Sequence, residues 1–255
     1  MRGLIYKDLY LIKTKLIFSA ISIIVLGGCL MVFSLIVKAP AVFKAMAGIT
    51  DFSIVLYLAV INYGNLMKTD SGKAWGFYGI SLPEGSRGIV AAKYMTVFLL
   101  YFTAYALCVV NDLVYSLVTG TAIDMSILTL AIILFNLFLN LFEMPLAFRF
   151  GTDKAGTIRI LITTGLTVIV LIYLLFGNIE WLMAEDGVIK TVIRVFSRDD
   201  GYEGLSEEVR RFLNKLTYIN IIEAAVITHL VVPAYYISYR ISCKVYRKGV
   251  LRDDI

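Results

Sequence analysis

The sequence predicts an all-α membrane protein with six transmembrane helices. Two observations carry that prediction. Of 255 residues, 59% are hydrophobic and the mean hydropathy is +0.82, whereas a soluble domain is about 45–50% apolar. The charged residues, 17% of the chain, cluster between apolar runs of about 20 residues, the length that crosses a hydrocarbon core. Backbone groups in lipid must be satisfied internally, so continuous runs of this kind read as helices. A barrel would show short alternating segments instead.

The first element, residues 1–15, MRGLIYKDLYLIKTK, reads as an N-terminal interfacial helix. Ile5, Leu9, Ile12 and Leu16 share a stripe, Lys7 and Thr14 lie opposite, and Tyr6 and Tyr10 suit the headgroup level. The run from Leu16 to Val37 exceeds the 7–15 residues of a signal-peptide core, so it is a retained first span. The spans are placed at about 16–37, 51–67, 92–118, 126–148, 158–177 and 216–240. Pro40 marks a break after the first, and the stretch from Ala39 to Thr50 is open as loop or helix extension. Pro145 and Pro233 lie in or near spans, where a proline kinks a helix.

The loop 178–215 carries a helical stripe of Val188, Ile189, Val192, Ile193 and Phe196, with Lys190, Arg194 and Arg198 facing away. That pattern fits an amphipathic helix on the outer interface. Ser206 then caps a second helix, with Glu207 and Glu208 in its first turn. A packed lid and an exit gate both fit this loop.

Orientation follows from Lys and Arg. An even number of spans puts both termini on one side, together with sixteen of the twenty-four basic residues. That side is cytoplasmic by the positive-inside rule. The basic excess therefore reports membrane topology, and no nucleic-acid partner is expected.

Several chemistries are absent. There is no GxxxxGK[ST] phosphate cradle, no HExxH and no GxSxG. His229 is the single histidine, which excludes a multi-histidine metal site. Cys29, Cys108 and Cys243 are too scattered for a disulfide framework. Polar residues do occur within the spans: Asp112, Asn136, Asn140, Glu143, Glu223 and His229. An ionised carboxylate at mid-bilayer costs about 2.5–3.5 kcal/mol on insertion scales, so these groups should face the bundle interior or the headgroups. Interhelical hydrogen bonding and the lining of a cargo path both fit. A proton relay through Asp112, Glu223 or His229 would instead make the chain a secondary transporter. A non-transporting scaffold or sensor is a third reading.

The passage KTDSGKAWGFYGISLPEGSRGIVAAK, residues 68–93, interrupts the apolar runs on the cytoplasmic side. Asp70 or Ser71 can cap a short helix, and Trp75, Tyr78 and Leu82 fall on one face. Gly72, Gly76 and Gly79 make that helix weak alone, so it needs a surface to dock on. Ser86 can cap the next helix, which runs through Lys93 into the third span.

The order Asp70, Lys73, Trp75, Tyr78, Ser81-Leu82-Pro83, Ser86-Arg87, Ile89-Val90, Lys93-Tyr94 resembles the first cytoplasmic loop of bacterial ABC-2 type permeases. These are membrane subunits of ABC exporters whose ATPase is a separate chain. More narrowly, the loop is similar to that of phenol-soluble-modulin exporter permeases. The opening Gly3-Leu4-Ile5-Tyr6-Lys7-Asp8-Leu9 resembles the same group, as do Met144-Pro145-Leu146, Phe150-Gly151 and Lys154-Ala155. Glu84-Gly85, Gly88 and the long outer loop depart from the pattern. The resemblance implies a six-span exporter domain in the bacterial cytoplasmic membrane, paired with a second permease subunit, identical or different. It implies a coupling loop at 68–91 that touches an ABC ATPase subunit through Asp70, Lys73, Trp75, Phe77, Tyr78, Leu82 and Arg87. It places ATP and magnesium on that partner, with no cofactor in this chain. The implied cargo is amphipathic or hydrophobic: a peptide, toxin, antibiotic or lipid-like molecule. Trp75 and Tyr78 also suit the aromatic belt of a membrane interface.

Overall fold

The structure is a computed structural model that describes residues 2–37, 39–68, 85–120, 123, 125–176, 229 and 231–251. Among these residues every element is a helix. Five helices are long and apolar enough to cross a membrane: Arg2–Val37, Val42–Lys68, Gly85–Thr119, Leu128–Phe150 and Thr152–Tyr173.

Helix α1 runs from Arg2 to Val37, 36 residues without a break. At 1.5 Å per residue it is about 54 Å long, nearly twice the hydrocarbon core. The expected interfacial helix and the first span are thus one rod, with no helix end at residue 15. The stripe anticipated from the sequence is its inward side. Ile12 is buried, and Ile5, Leu9 and Leu16 are partly so.

Ala39 is extended, as a residue before proline should be, and Pro40 opens α2, Pro40–Ile54. A π-helical segment, Val55–Ile61, comes directly after it, then α3, Asn62–Lys68. The second span therefore begins as helix at Pro40. The wider π turn is filled by Asn62, whose amide donates to the Tyr57 carbonyl at 2.8 Å and the Ser19 hydroxyl at 3.1 Å. Gly27 of α1 lies against α2, where an added Cβ would come 3.1 Å from Thr50 Cγ2. A small residue there lets the two backbones approach, the usual device in lipid.

Helix α4 is Gly85–Thr119, α5 is Ser126–Phe150, α6 is Thr152–Phe176 and α7 is Val232–Leu251. Helix α4 starts one residue before the expected cap, Ser86. Gly85 sits at φ +58 and Gly151 at φ +86, backbone that favours glycine. Gly151 alone joins α5 to α6. Its N–H bonds the Ala147 carbonyl at 3.0 Å, and its carbonyl accepts from Ala155 at 3.2 Å. Most of the sixth expected span, residues 216–228, lies outside the described residues, as do the 69–84 segment and the outer loop.

The core sits where the second span, α4 and α5 meet. Val55, Leu58, Ala59 and Leu66 pack with Val90, Val97, Leu100, Ile133 and Met144. Pro145 lies inside α5 and has no N–H to give the Leu141 carbonyl. The Ser238 hydroxyl of α7 supplies the missing donor at 2.7 Å. The Tyr94 hydroxyl of α4 lies 2.7 Å from Ser238 Oγ and 2.8 Å from Ser242 Oγ. Three helices are thereby tied by one hydroxyl network. Ser238→Ala should cost about 1–2 kcal/mol, because it leaves a half-buried carbonyl without its donor. In a Pro145→Ala background α5 can supply its own N–H, so the same substitution should cost less. A double-mutant cycle of unfolding in mixed micelles checks this; additive effects would contradict it.

Candidate functional site

The sequence nominates two sets of residues, and the structure treats them differently. Of the loop set, Asp70, Lys73, Trp75, Phe77, Tyr78 and Leu82 lie outside the described residues. Arg87 is described and exposed, in the first turn of α4. The base of the loop is described on both sides, at Lys68 and Gly85. There the Lys93 ammonium donates to the Leu66 carbonyl at 2.9 Å and lies 3.3 Å from Asp8 of α1. Both side chains of this ion pair are only 2% exposed. Lys7 also approaches Asp8, at 3.4 Å. Nearby, Lys15 donates to Asn65 at 2.6 Å, and Lys68 faces Asp153 of α6 at 3.6 Å. The latter pair is well exposed and contributes little.

Of the span set, Asn136, Asn140 and Glu143 come together. They lie at i, i+4 and i+7 on α5, one face of the helix. Arg159 of α6 closes the group. Its Nη1 donates to Glu143 at 2.9 Å and to Asn140 at 3.4 Å, and its Nη2 donates to Asn136 at 2.6 Å. Asn140, fully buried, also donates to the Tyr101 hydroxyl at 3.2 Å. The guanidinium lies 5.9 Å from the Tyr63 ring centroid, within cation–π range. Chemically this is one cation and one carboxylate held inside a bundle by amides and phenols.

Asp112 belongs elsewhere. Its Oδ2 accepts from the Met125 N–H at 2.8 Å, just before α5 begins. Ser116 bonds both the N–H and the carbonyl of Ile123, at 3.0 and 3.2 Å. Asp112 therefore anchors the turn between α4 and α5, about 27 Å along α5 from Glu143. His229 is exposed, and Glu223 lies outside the described residues.

Sequence reasoning misses three residues. Asp51, 2% exposed, accepts from Asn111 at 2.9 Å and from Thr129 at 3.2 Å, and so joins α2 to α4 and α5. In the sequence it marks only a span boundary. Arg159 and Lys93 count there as cytoplasmic loop charges. A signal for Arg159 exists: it and Glu143 each stand eight residues from Gly151, so a hairpin folded at that glycine sets them level.

This architecture, long apolar helices joined through buried polar contacts, defines a polytopic α-helical membrane protein. The chain belongs to the ABC-2 transporter family: the model for "ABC-2 family transporter protein" matches residues 3–247. It is accordingly the membrane component, the permease, of an ABC transporter. No curated protein and no solved structure was found to match it.

Proposed function

We propose that this permease is an exporter driven by a separate ATPase. It works as one of a pair of six-span subunits in the bacterial cytoplasmic membrane, with both termini inside. ATP and magnesium bind the partner chain. The observation that carries this reading is the 68–93 passage on the basic side. Its aromatic face at Trp75 and Tyr78 supplies the anchor type usual at protein interfaces, and its base is pinned to three helices by Lys93. Asp70, Lys73, Phe77, Leu82 and Arg87 complete the contact. The cargo is amphipathic or hydrophobic, as in the phenol-soluble-modulin exporters that the loop resembles. Asn136, Asn140 and Glu143 are the polar residues assigned to its path, because they share one face of α5. Asp112 is assigned to holding the outer turn.

The test is a purified complex in vesicles. Trp75→Ala should lower ATP-driven cargo movement about tenfold or more, the size of an interface hot spot, through weaker ATPase binding or uncoupled hydrolysis. Unchanged binding and transport would contradict the assignment. Labelling of Lys73→Cys by an impermeant thiol reagent in intact cells, in a background free of native cysteines, would invert the topology and end the proposal.

A further inference from the structure

We infer that the Asp8–Lys93 ion pair is the joint that carries movement of the 69–84 segment into α1; this rests on the reading of that segment as the ATPase contact.

The two flanks of the segment are α3, which ends at Lys68, and α4, which starts at Gly85. Lys93, two turns into α4, ties these flanks to each other through the Leu66 carbonyl. The same ammonium reaches a third helix through Asp8. Both charges are removed from solvent, where a lone charge is poorly tolerated. Asp8 and Lys93 therefore have a strong reason to stay together when either helix shifts. The next turn of α1 adds Ile12, 1% exposed, to the same core as Leu66 and Val90.

Transmission beyond the joint requires α1 to be one rod. Its helix is unbroken from Arg2 to Val37, with no proline in the chain before Pro40. A displacement imposed at Asp8 is therefore delivered along the whole first span. Along its length one side of α1 packs on the bundle, through Ser19, Ile23 and Gly27, while Ile17, Phe18, Ile21, Ile24, Val25, Val32 and Phe33 on the other side are exposed. An unbroken rod fixed at its cytoplasmic end moves with the joint and carries the displacement to α2, on which it packs at Gly27. Asp8 and Lys93 are positioning residues in this scheme, since neither needs to touch ATPase or cargo.

Cys29 of α1 is exposed, whereas Cys108 is buried, so a Cys243→Ser chain carries one accessible thiol on the rod. The chain is purified from membranes together with its ATP-binding-cassette protein, placed in nanodiscs and labelled at Cys29 with bimane. Vanadate trapping with ATP should shift the emission. The double variant Asp8→Asn/Lys93→Met removes both buried charges at once, and Lys7, 26% exposed, can turn its ammonium to water, so the variant should fold and keep the ATPase bound. Its shift should fall about fivefold or more, the lower range of a coupling between sites. The single variant Asp8→Asn should lose the shift as well, with a lower folded yield. A double variant that binds ATPase and shifts like wild type overturns the joint. A wild-type complex that binds ATPase and shows no shift at Cys29 overturns it too. A wild-type chain that binds no such ATPase fails the reading of the 69–84 segment itself, and the joint with it.

Discussion

Replacing Arg159 by methionine should destabilise the protein by about 3–5 kcal/mol, the cost of stranding a buried charge. The substitution keeps most of the side-chain volume but removes the partner of Glu143 at 2.9 Å. It also removes donors to Asn136 and Asn140. The charge dominates this cost. Neutral interhelical hydrogen bonds in a membrane average only about 0.6 kcal/mol, because the unfolded helices find other partners in lipid. Two further variants separate the contributions. Arg159→Lys should recover little, since one ammonium cannot span three acceptors placed for a planar fork. Glu143→Gln combined with Arg159→Met should recover most of the loss, because no isolated charge remains. Unfolding in mixed micelles, read by helical circular dichroism, gives all three values. A loss below about 1 kcal/mol for Arg159→Met would show the pair to be solvated rather than buried.

The same residue shows where the sequence is legible. The helices are readable because lipid imposes a severe condition, long uncharged runs, that few other structures satisfy. The inward stripe of α1 is readable too, because Ile5, Leu9, Ile12 and Leu16 recur at helical spacing. The fate of the charges is harder to read. Rules of topology count Lys93 and Arg159 as loop residues, since both lie within a few turns of a span end. Yet side chains of that length can turn into the bundle as easily as out of it, and the choice depends on which carboxylate stands level on the neighbouring helix. That is a tertiary fact. Only the hairpin at Gly151 encodes it locally, by fixing the register of Glu143 against Arg159. Asp8 and Lys93 are 85 residues apart, on helices that are not neighbours in the chain, so nothing in their spacing marks the pair. Asp112 illustrates the converse. A carboxylate inside a span invites a transport role, but its bond to the Met125 N–H serves a helix entry, which any short polar side chain at that level can do.

The pinning of Ser238 against Leu141 obeys the same logic from the other direction. Pro145 reads as a kink, and its position in α5 is visible in the sequence. What is not visible is that the carbonyl it releases is taken up by a hydroxyl 97 residues away. A proline in a membrane helix sets a requirement; the element that meets it is chosen by packing.

At the end of the bundle away from Lys93, Asp51→Ala should cost about 2–5 kcal/mol. Asp51 accepts from the Asn111 amide and the Thr129 hydroxyl. Truncation leaves the half-buried Asn111 amide and the buried Thr129 hydroxyl without that acceptor, and each such loss costs about 1–3 kcal/mol. Asp51→Asn should be nearly neutral by comparison. The amide keeps an oxygen for Asn111, and the Thr129 hydroxyl, which can accept as well as donate, can take a hydrogen bond from the new NH2 group. The damage from alanine should also be local. Asp51 joins α2 to α4 and α5 beside the turn that Asp112 and Ser116 hold. Amides from Ser116 to Met125 should therefore exchange faster in Asp51→Ala, while those around Leu66 and Lys93 keep their wild-type protection. Hydrogen exchange in nanodiscs resolves the two ends. Equal losses for the alanine and asparagine variants would mean that Asp51 contributes through something other than these acceptor bonds. Faster exchange at both ends would mean that the Asp51 network and the Asp8–Lys93 ion pair are one cooperative unit.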